Sequence, residues 1–312
     1  MTWVQSLVLA VLQGVTELFP ISSLGHTVIV TALLGWGDLE ASPNFLPFLV
    51  LFHVGTATAL FIYFWRDWFA IIQGFFVTAA KGRLDAHPQG RLAWMLIAGT
   101  IPAGLIGLFL ENPLKGLFAN PVIAAAFLVV NGFILLIGER ARRRALAAES
   151  ATTYVVSATS ASDRPPNGSV AVAEAPTAQP AQLRRFDSLS WREAILVGLA
   201  QALALIPGIS RSGVTMVAAL RVGMTHADAA AYTFLLATPI IGAAAVLELP
   251  QLAGTPSSIL VIALAGGIIA GVAAFLSTRF LMRYFENGRL DPFGYYCIVF
   301  GLVSGVYLSL HP

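Results

Sequence analysis

Between positions 13 and 26 the chain reads QGVTELFPISSLGH, which sets an amide, a carboxylate, two adjacent hydroxyls and an imidazole in an otherwise apolar stretch. Gln13 and Glu17 are four apart and share one face of a helix, which Pro20 ends because it lacks an N–H and clashes with the preceding turn. Ser22 and Ser23 precede a fresh apolar run from Thr27 to Leu34, the position of N-cap residues. The first turn of that second helix, with Gly25 and His26, directs free N–H groups into the break and makes it a site for an anion. Farther on, PGISRSG at 207–213 repeats the pattern with Ser210, Ser212 and Gly213. It adds Arg211, whose planar fork matches phosphate oxygens. Four serines and the N–H groups of two helix starts make a nest of donors, so the expected ligand carries phosphate. The competing reading, a buried Arg211–Glu17 pair that only fixes the two segments, leaves His26 and the serines without a purpose.

Elements that could hold these groups together follow from the composition. Hydrophobic residues make up 57% of the 312 and charged residues 11%, far below the roughly 25% charged of soluble domains. With a mean hydropathy of +0.78, the sequence is that of a polytopic membrane protein. No Lys or Arg precedes the first apolar run and no small-residue cleavage site follows it, so the first helix is expected to be retained. Segments 2–18 and 24–35 are each shorter than the about 20 residues needed to cross hydrocarbon. Joined by the Pro-Ser-Ser break, they read as a re-entrant hairpin, whose freed backbone requires a cavity or protein around it. Spans are expected at 45–65, 92–110 and 121–138, with a short interfacial helix at 68–80.

A shift of 188 residues places Trp3 on Trp191, Gln13 on Gln201, Ser22 on Ser210 and Gly25 on Gly213. The second half then supplies a hairpin at 191–206 and 213–222 and spans at 232–249, 259–276 and 292–310. Three crossings per half force the halves into opposite orientations, so the fold class is all-α, built from two inverted-topology repeats. The expected division is 1–138, first membrane repeat; 139–190, a largely disordered cytoplasmic linker; and 191–312, second repeat. The linker opens on Arg140, Arg142, Arg143 and Arg144 and continues as an Ala/Ser/Thr/Pro tract with too few large apolar residues to offset ordering entropy. With the linker inside, Arg66, Lys81, Arg83, Arg91, Arg279, Arg283 and Arg289 share its side and only Lys115 among loop cations lies opposite. Positive-inside bias therefore sets both termini and the first hairpin on the external face. Cys297, the sole cysteine, excludes an internal disulfide and reads as packing; His53, alone on a span, reads the same way.

The stretch from Gln13 to His26 resembles the (E/Q)-x-x-x-E and Pro-x-Ser-Ser-x-Gly-His signature of the undecaprenyl-pyrophosphate phosphatase family (BacA type), and PGISRSG is similar to that family's second motif. The resemblance covers both membrane halves and not the linker. It implies a multi-pass phosphatase of the bacterial inner membrane that hydrolyses undecaprenyl (C55) diphosphate to the monophosphate, recycling the lipid carrier of peptidoglycan synthesis and conferring bacitracin resistance. Carried over by position, Glu17, Ser23, His26 and Arg211 are the acting residues. Gln13 stands at the E/Q position, so a second metal-binding carboxylate is missing there.

In mechanistic terms Ser23 is the candidate nucleophile and His26, three residues on, its expected base, with water attack as the alternative. A divalent cation, Mg²⁺ or Ca²⁺, is expected between the diphosphate and Glu17, with the Gln13 amide oxygen or water completing its shell. Arg211 and the donor nest hold the terminal phosphate, and the prenyl tail lies between spans among membrane lipids. No Walker loop, dinucleotide fingerprint or zinc-type spacing is present, and no nucleic-acid partner is expected. A flippase or transporter for the same lipid phosphate is the rival class, because carriers also use inverted repeats and broken helices. An adjacent nucleophile and base is what transport does not need.

Overall fold

The structure, a computed structural model, describes residues 1–39, 45–118, 120–162, 188–252 and 255–311. Its first half contains α1 (Trp3–Thr16), α2 (Ser23–Leu33), α3 (Phe45–Tyr63), α4 (Trp65–Lys81), α5 (Gly90–Phe118) and α6 (Pro121–Ser162). The second half contains α7 (Trp191–Ala200), α8 (Arg211–Arg221), α9 (His226–Glu248), α10 (Ser257–Tyr284) and α11 (Asp291–Leu310). Helices α5, α6, α9, α10 and α11 are long and apolar enough to cross a membrane, and α3 joins α4 at an 88° bend to give a sixth candidate. The chain is a multi-pass membrane protein.

The repeat is written into the caps. Helix α1 starts in a capping box between Thr2 and Gln5, and α7 starts in one between Ser190 and Glu193, the same two positions 188 residues on. Exchanging α1 with α7, α2 with α8, α3 with α9, α5 with α10 and α6 with α11 maps the principal packings onto one another: α1 packs on α10 as α7 packs on α5, α3 on α10 as α9 on α5, and α1 on α2 as α7 on α8. Small residues allow these close approaches, as expected where lipid supplies no hydrophobic drive between helices. Gly14 of α1 lies against Ala270 and Ala274, Gly198 of α7 against Gly99, and Gly55 of α3 against Gly267.

Helix α4 is longer than the 68–80 expected and presents Trp65, Phe69, Ile72 and Phe76 outward along one stripe, while Ile71 and Thr78 are buried. That amphipathic pattern, beginning at a right-angle bend, suits a helix lying in the interface.

One segment departs from expectation. Helix α6 does not stop at Gly138 but runs through the basic cluster to Ser162, in a sequence rich in the strong helix formers Ala, Arg and Leu. Its polar continuation is anchored: Glu139 is buried and accepts from His226 Nε2 at 2.7 Å and from the Leu290 N–H at 3.4 Å, while Arg143 pairs with Asp291 at 2.9 Å. The start of the linker is thus helical rather than disordered. The proline-bearing tract 163–187 lies outside the described residues. At the far end, Leu189 is buried and its carbonyl accepts from Arg91 at 2.6 Å.

Candidate functional site

Pro20 and the Pro207–Gly208 pair break the two hairpins, and their tips meet. A Cβ on Gly25 would come within 2.8 Å of the Gly208 Cα, so the two backbones touch where no side chain fits. Gly208 itself has φ +96° and lies against the backbone of α6 at Ala124 and Leu128. Ser22 Oγ accepts from the Gly25 N–H at 3.2 Å and Ser210 Oγ from the Gly213 N–H at 3.1 Å, so both second helices are capped alike. Ser212 Oγ donates to the Phe19 carbonyl at 3.0 Å and lies 3.0 Å from Ser210 Oγ. The Ser212 hydroxyl therefore ties hairpin to hairpin, while that of Ser210 caps its own helix and supports Ser212.

Glu17 is the hub. Its Oε1 accepts from Arg211 Nη2 at 2.6 Å. Its Oε2 accepts from Ser23 Oγ at 2.5 Å and Gln13 Nε2 at 3.1 Å, and His53 Nε2 stands 3.4 Å away. Gln13, Glu17 and Ser23 are buried, Arg211 and His53 are partly buried, and Arg211 Nη1 is a buried donor without a partner. A guanidinium with one arm on a carboxylate and the other empty is prepared for an oxyanion. The ion pair weighed in the sequence does form, and the unfilled arm shows that it does not exhaust Arg211.

The structure brings Gln13, Glu17, Ser23 and Arg211 together, but it does not join Ser23 to His26. His26 places Nδ1 2.8 Å from the Ser22 carbonyl and Nε2 2.9 Å from Tyr296 Oη, both away from Ser23. The reason is local. Ser22 is the one non-glycine with positive φ among the described residues, at φ 69°, a strained conformation that costs roughly 1–3 kcal/mol. Its carbonyl accepts from both the backbone N–H (3.1 Å) and the ring of His26, which clamp the turn.

Two residues were passed over in the sequence. His53 belongs to the Glu17 cluster, with its Nδ1 2.7 Å from the Leu49 carbonyl. Asn131 of α6 is fully buried, donates to the Pro20 carbonyl at 3.0 Å and accepts from the Ser210 N–H at 3.0 Å, stapling one tip to the other. Each is a lone polar group in an apolar span, a signal of function at membrane depth.

A hard cation wants about six oxygen ligands. No group of three His, Cys, Asp or Glu that could hold one exists among the described residues. What the site offers is the carboxylate of Glu17, whose Oε1 accepts one donor against two lone pairs, and the amide oxygen of Gln13. These fit a cation only as a minority of its shell.

Two inverted repeats whose re-entrant tips gather a serine, a carboxylate and a half-free arginine define a class of membrane protein with a polar centre between its halves. The sequence profile of the family described as "Bacitracin resistance protein BacA" matches residues 6–303, and the chain belongs to that family. It is 44% identical to "Undecaprenyl-diphosphatase 2" of Frankia alni, an alignment covering 99% of both chains. It is 45% identical to "Undecaprenyl-diphosphatase" of Acidiphilium cryptum over 97% of both. It is also 45% identical to the protein of that name from Mycolicibacterium paratuberculosis, over 99% of this chain and 98% of the other.

Proposed function

We propose that this chain is an undecaprenyl-diphosphatase, a membrane hydrolase that removes the terminal phosphate of the C55 lipid diphosphate and leaves the monophosphate and inorganic phosphate. The observation that carries the reading is the Ser23–Glu17–Arg211 chain, built on two helix starts in a member of a family whose relatives bear that name. Phosphoryl transfer asks a protein chiefly for positioning and charge neutralisation.

The geometry supports Glu17, rather than His26, as the group that takes the Ser23 proton. When a phosphate engages Arg211, the guanidinium is drawn from Glu17 and the carboxylate is freed to accept it. Ser23 Oγ then attacks the terminal phosphorus as the bond to the bridging oxygen breaks; the lipid monophosphate leaves, and water later hydrolyses the serine phosphate. His26 holds the Ser22 turn that aims Ser23. A Mg²⁺ or Ca²⁺ ion entering with the diphosphate would be held mostly by substrate oxygens, with Glu17 and Gln13 as its protein ligands. It would supply further charge neutralisation. An apolar cleft of about 600 Å³ between α3 and α10, lined by Val54, Ile62, Ile268, Val272 and Phe275, suits the prenyl tail. We place both termini and the site opening on the external face of a bacterial inner membrane, on the positive-inside distribution of loop charges.

The test is phosphate release from undecaprenyl diphosphate by the purified protein, with and without chelator. Release that chelator suppresses and Arg211→Ala abolishes is expected. A folded protein that binds the lipid but releases no phosphate would overturn the assignment.

A further inference from the structure

His26 packs against two aromatic side chains of α11. Its ring is nearly parallel to Tyr296 (centroids 5.6 Å apart, planes 6°) and to Phe300 (5.0 Å, 3°). Tyr296 Oη lies 2.9 Å from Nε2. The carbonyl of Ser22, 2.8 Å from Nδ1, can only accept, so Nδ1 carries hydrogen and in the neutral ring Nε2 holds the lone pair. Tyr296 is then the donor to that lone pair. Both ring nitrogens are occupied, one by the turn that carries the serine and one by a tyrosine 270 residues away.

We infer that Tyr296 is a positioning residue for the hydrolytic reaction: it fixes the His26 ring, which clamps the Ser22 turn and so aims Ser23. The inference rests on the phosphatase reading above. It follows from what the ring must do. Ser22 holds a conformation that a residue with a side chain leaves readily, and the Nδ1 bond restrains it only while the imidazole keeps its orientation. Stacking fixes the plane of the ring but leaves open the half-turn about Cβ–Cγ that exchanges Nδ1 with Cδ2 and Nε2 with Cε1; the Oη–Nε2 bond favours the face that keeps Nδ1 on the Ser22 carbonyl. Second partners of this kind orient functional histidines generally. The assignment also gives α11, the last span, a part in a site otherwise built by the hairpins, α3 and α6.

Tyr296→Phe keeps the stack and removes only the hydroxyl. In the full-length enzyme kcat should fall about five- to tenfold, the worth of one hydrogen bond, with KM changed less than about twofold. In a His26→Gln background the same substitution should change kcat less than about twofold. Additive losses, or an effect on KM alone, would overturn the inference. A second measurement needs no turnover. In ring-¹⁵N-histidine spectra of the protein in bilayers, with the His26 signals identified by their loss in His26→Gln, Tyr296→Phe should move the Nε2 resonance and leave Nδ1 protonated. An unmoved Nε2 resonance overturns the inference. If the wild-type protein releases no phosphate, the functional reading fails while the spectra still judge the tyrosine contact.

Discussion

Replacing Arg211 by lysine keeps the charge and removes the geometry, which makes it the sharpest perturbation of the site. In the structure one arm of the guanidinium bonds Glu17 Oε1 at 2.6 Å while Nη1 is buried and unpartnered. A lysine ammonium is a compact point charge that cannot span both positions as a planar fork. It either keeps the pair with Glu17, leaving the phosphate short of one charge-assisted bond, or turns to the phosphate and leaves a buried carboxylate exposed to the cost of losing its partner. A hydrogen bond to a charged group contributes about 1.5–3 kcal/mol, which converts to roughly ten- to a hundredfold in rate. Phosphate release in lipid nanodiscs at saturating substrate reads this as kcat, and thermal unfolding in the same preparation confirms that the variant is folded. A folded Arg211→Lys enzyme with kcat within about threefold of wild type would refute the fork, and with it the claim that the empty arm exists for phosphate.

Asn131→Ala strips the staple between the tips and strands the Ser210 N–H and the Pro20 carbonyl, so unfolding free energy should fall by about 2–4 kcal/mol, measured by denaturant titration in mixed micelles. A loss under about 0.5 kcal/mol would mean that the tips are held elsewhere. Gly25→Ala forces a methyl against Gly208 and should lower kcat at least about tenfold by separating Ser23 from Arg211, with the variant still inserted in membranes. For topology, Cys297 is fully buried and should give a silent background, whereas a cysteine at exposed Gly37, where an added side chain meets nothing, should react with an impermeant maleimide on intact spheroplasts. A cysteine at exposed Leu84 should react only after lysis, and the reverse pattern would put the site on the inner face.

What the sequence disclosed were the features set by local chemistry. Pro20, the paired serines and Pro207 break helices wherever they stand, and Trp3 with Trp191 marks a repeat that the two capping boxes repeat to the residue. Partner choice was less legible, because it depends on which way a side chain leaves its turn. Three residues of spacing place Ser23 and His26 on neighbouring turns. Yet Ser23 opens α2, where its hydroxyl reaches back to Glu17 at the end of α1, and His26 turns to the carbonyl of Ser22. Asn131 was hidden for another reason: its partners are 111 and 79 residues away, and no local pattern reports such contacts. The extension of α6 through Arg140–Arg144 shows charge and composition marking a linker while helix propensity and the Arg143–Asp291 pair keep its beginning ordered.

The repeat also explains why the site has a direction. In the 188-residue register Ser22 faces Ser210 and Gly25 faces Gly213, and these positions make the same cap in both halves. Between them Ser23 corresponds to Arg211, the first residue of α2 and of α8 respectively. A symmetric backbone thus offers two equivalent first-turn positions, and the sequence fills one with a hydroxyl and the other with a guanidinium. The remaining counterparts break the symmetry further: Glu17 corresponds to Leu205 and His26 to Val214. Only the first hairpin therefore carries a carboxylate against the serine and an imidazole on its turn, and only the second carries a guanidinium. Two copies of the first hairpin would offer two hydroxyls and no guanidinium at these positions, and two copies of the second the reverse. Divergence at three pairs of positions is enough to turn a symmetric pair of helix starts into a site with a hydroxyl on one wall and a guanidinium on the other.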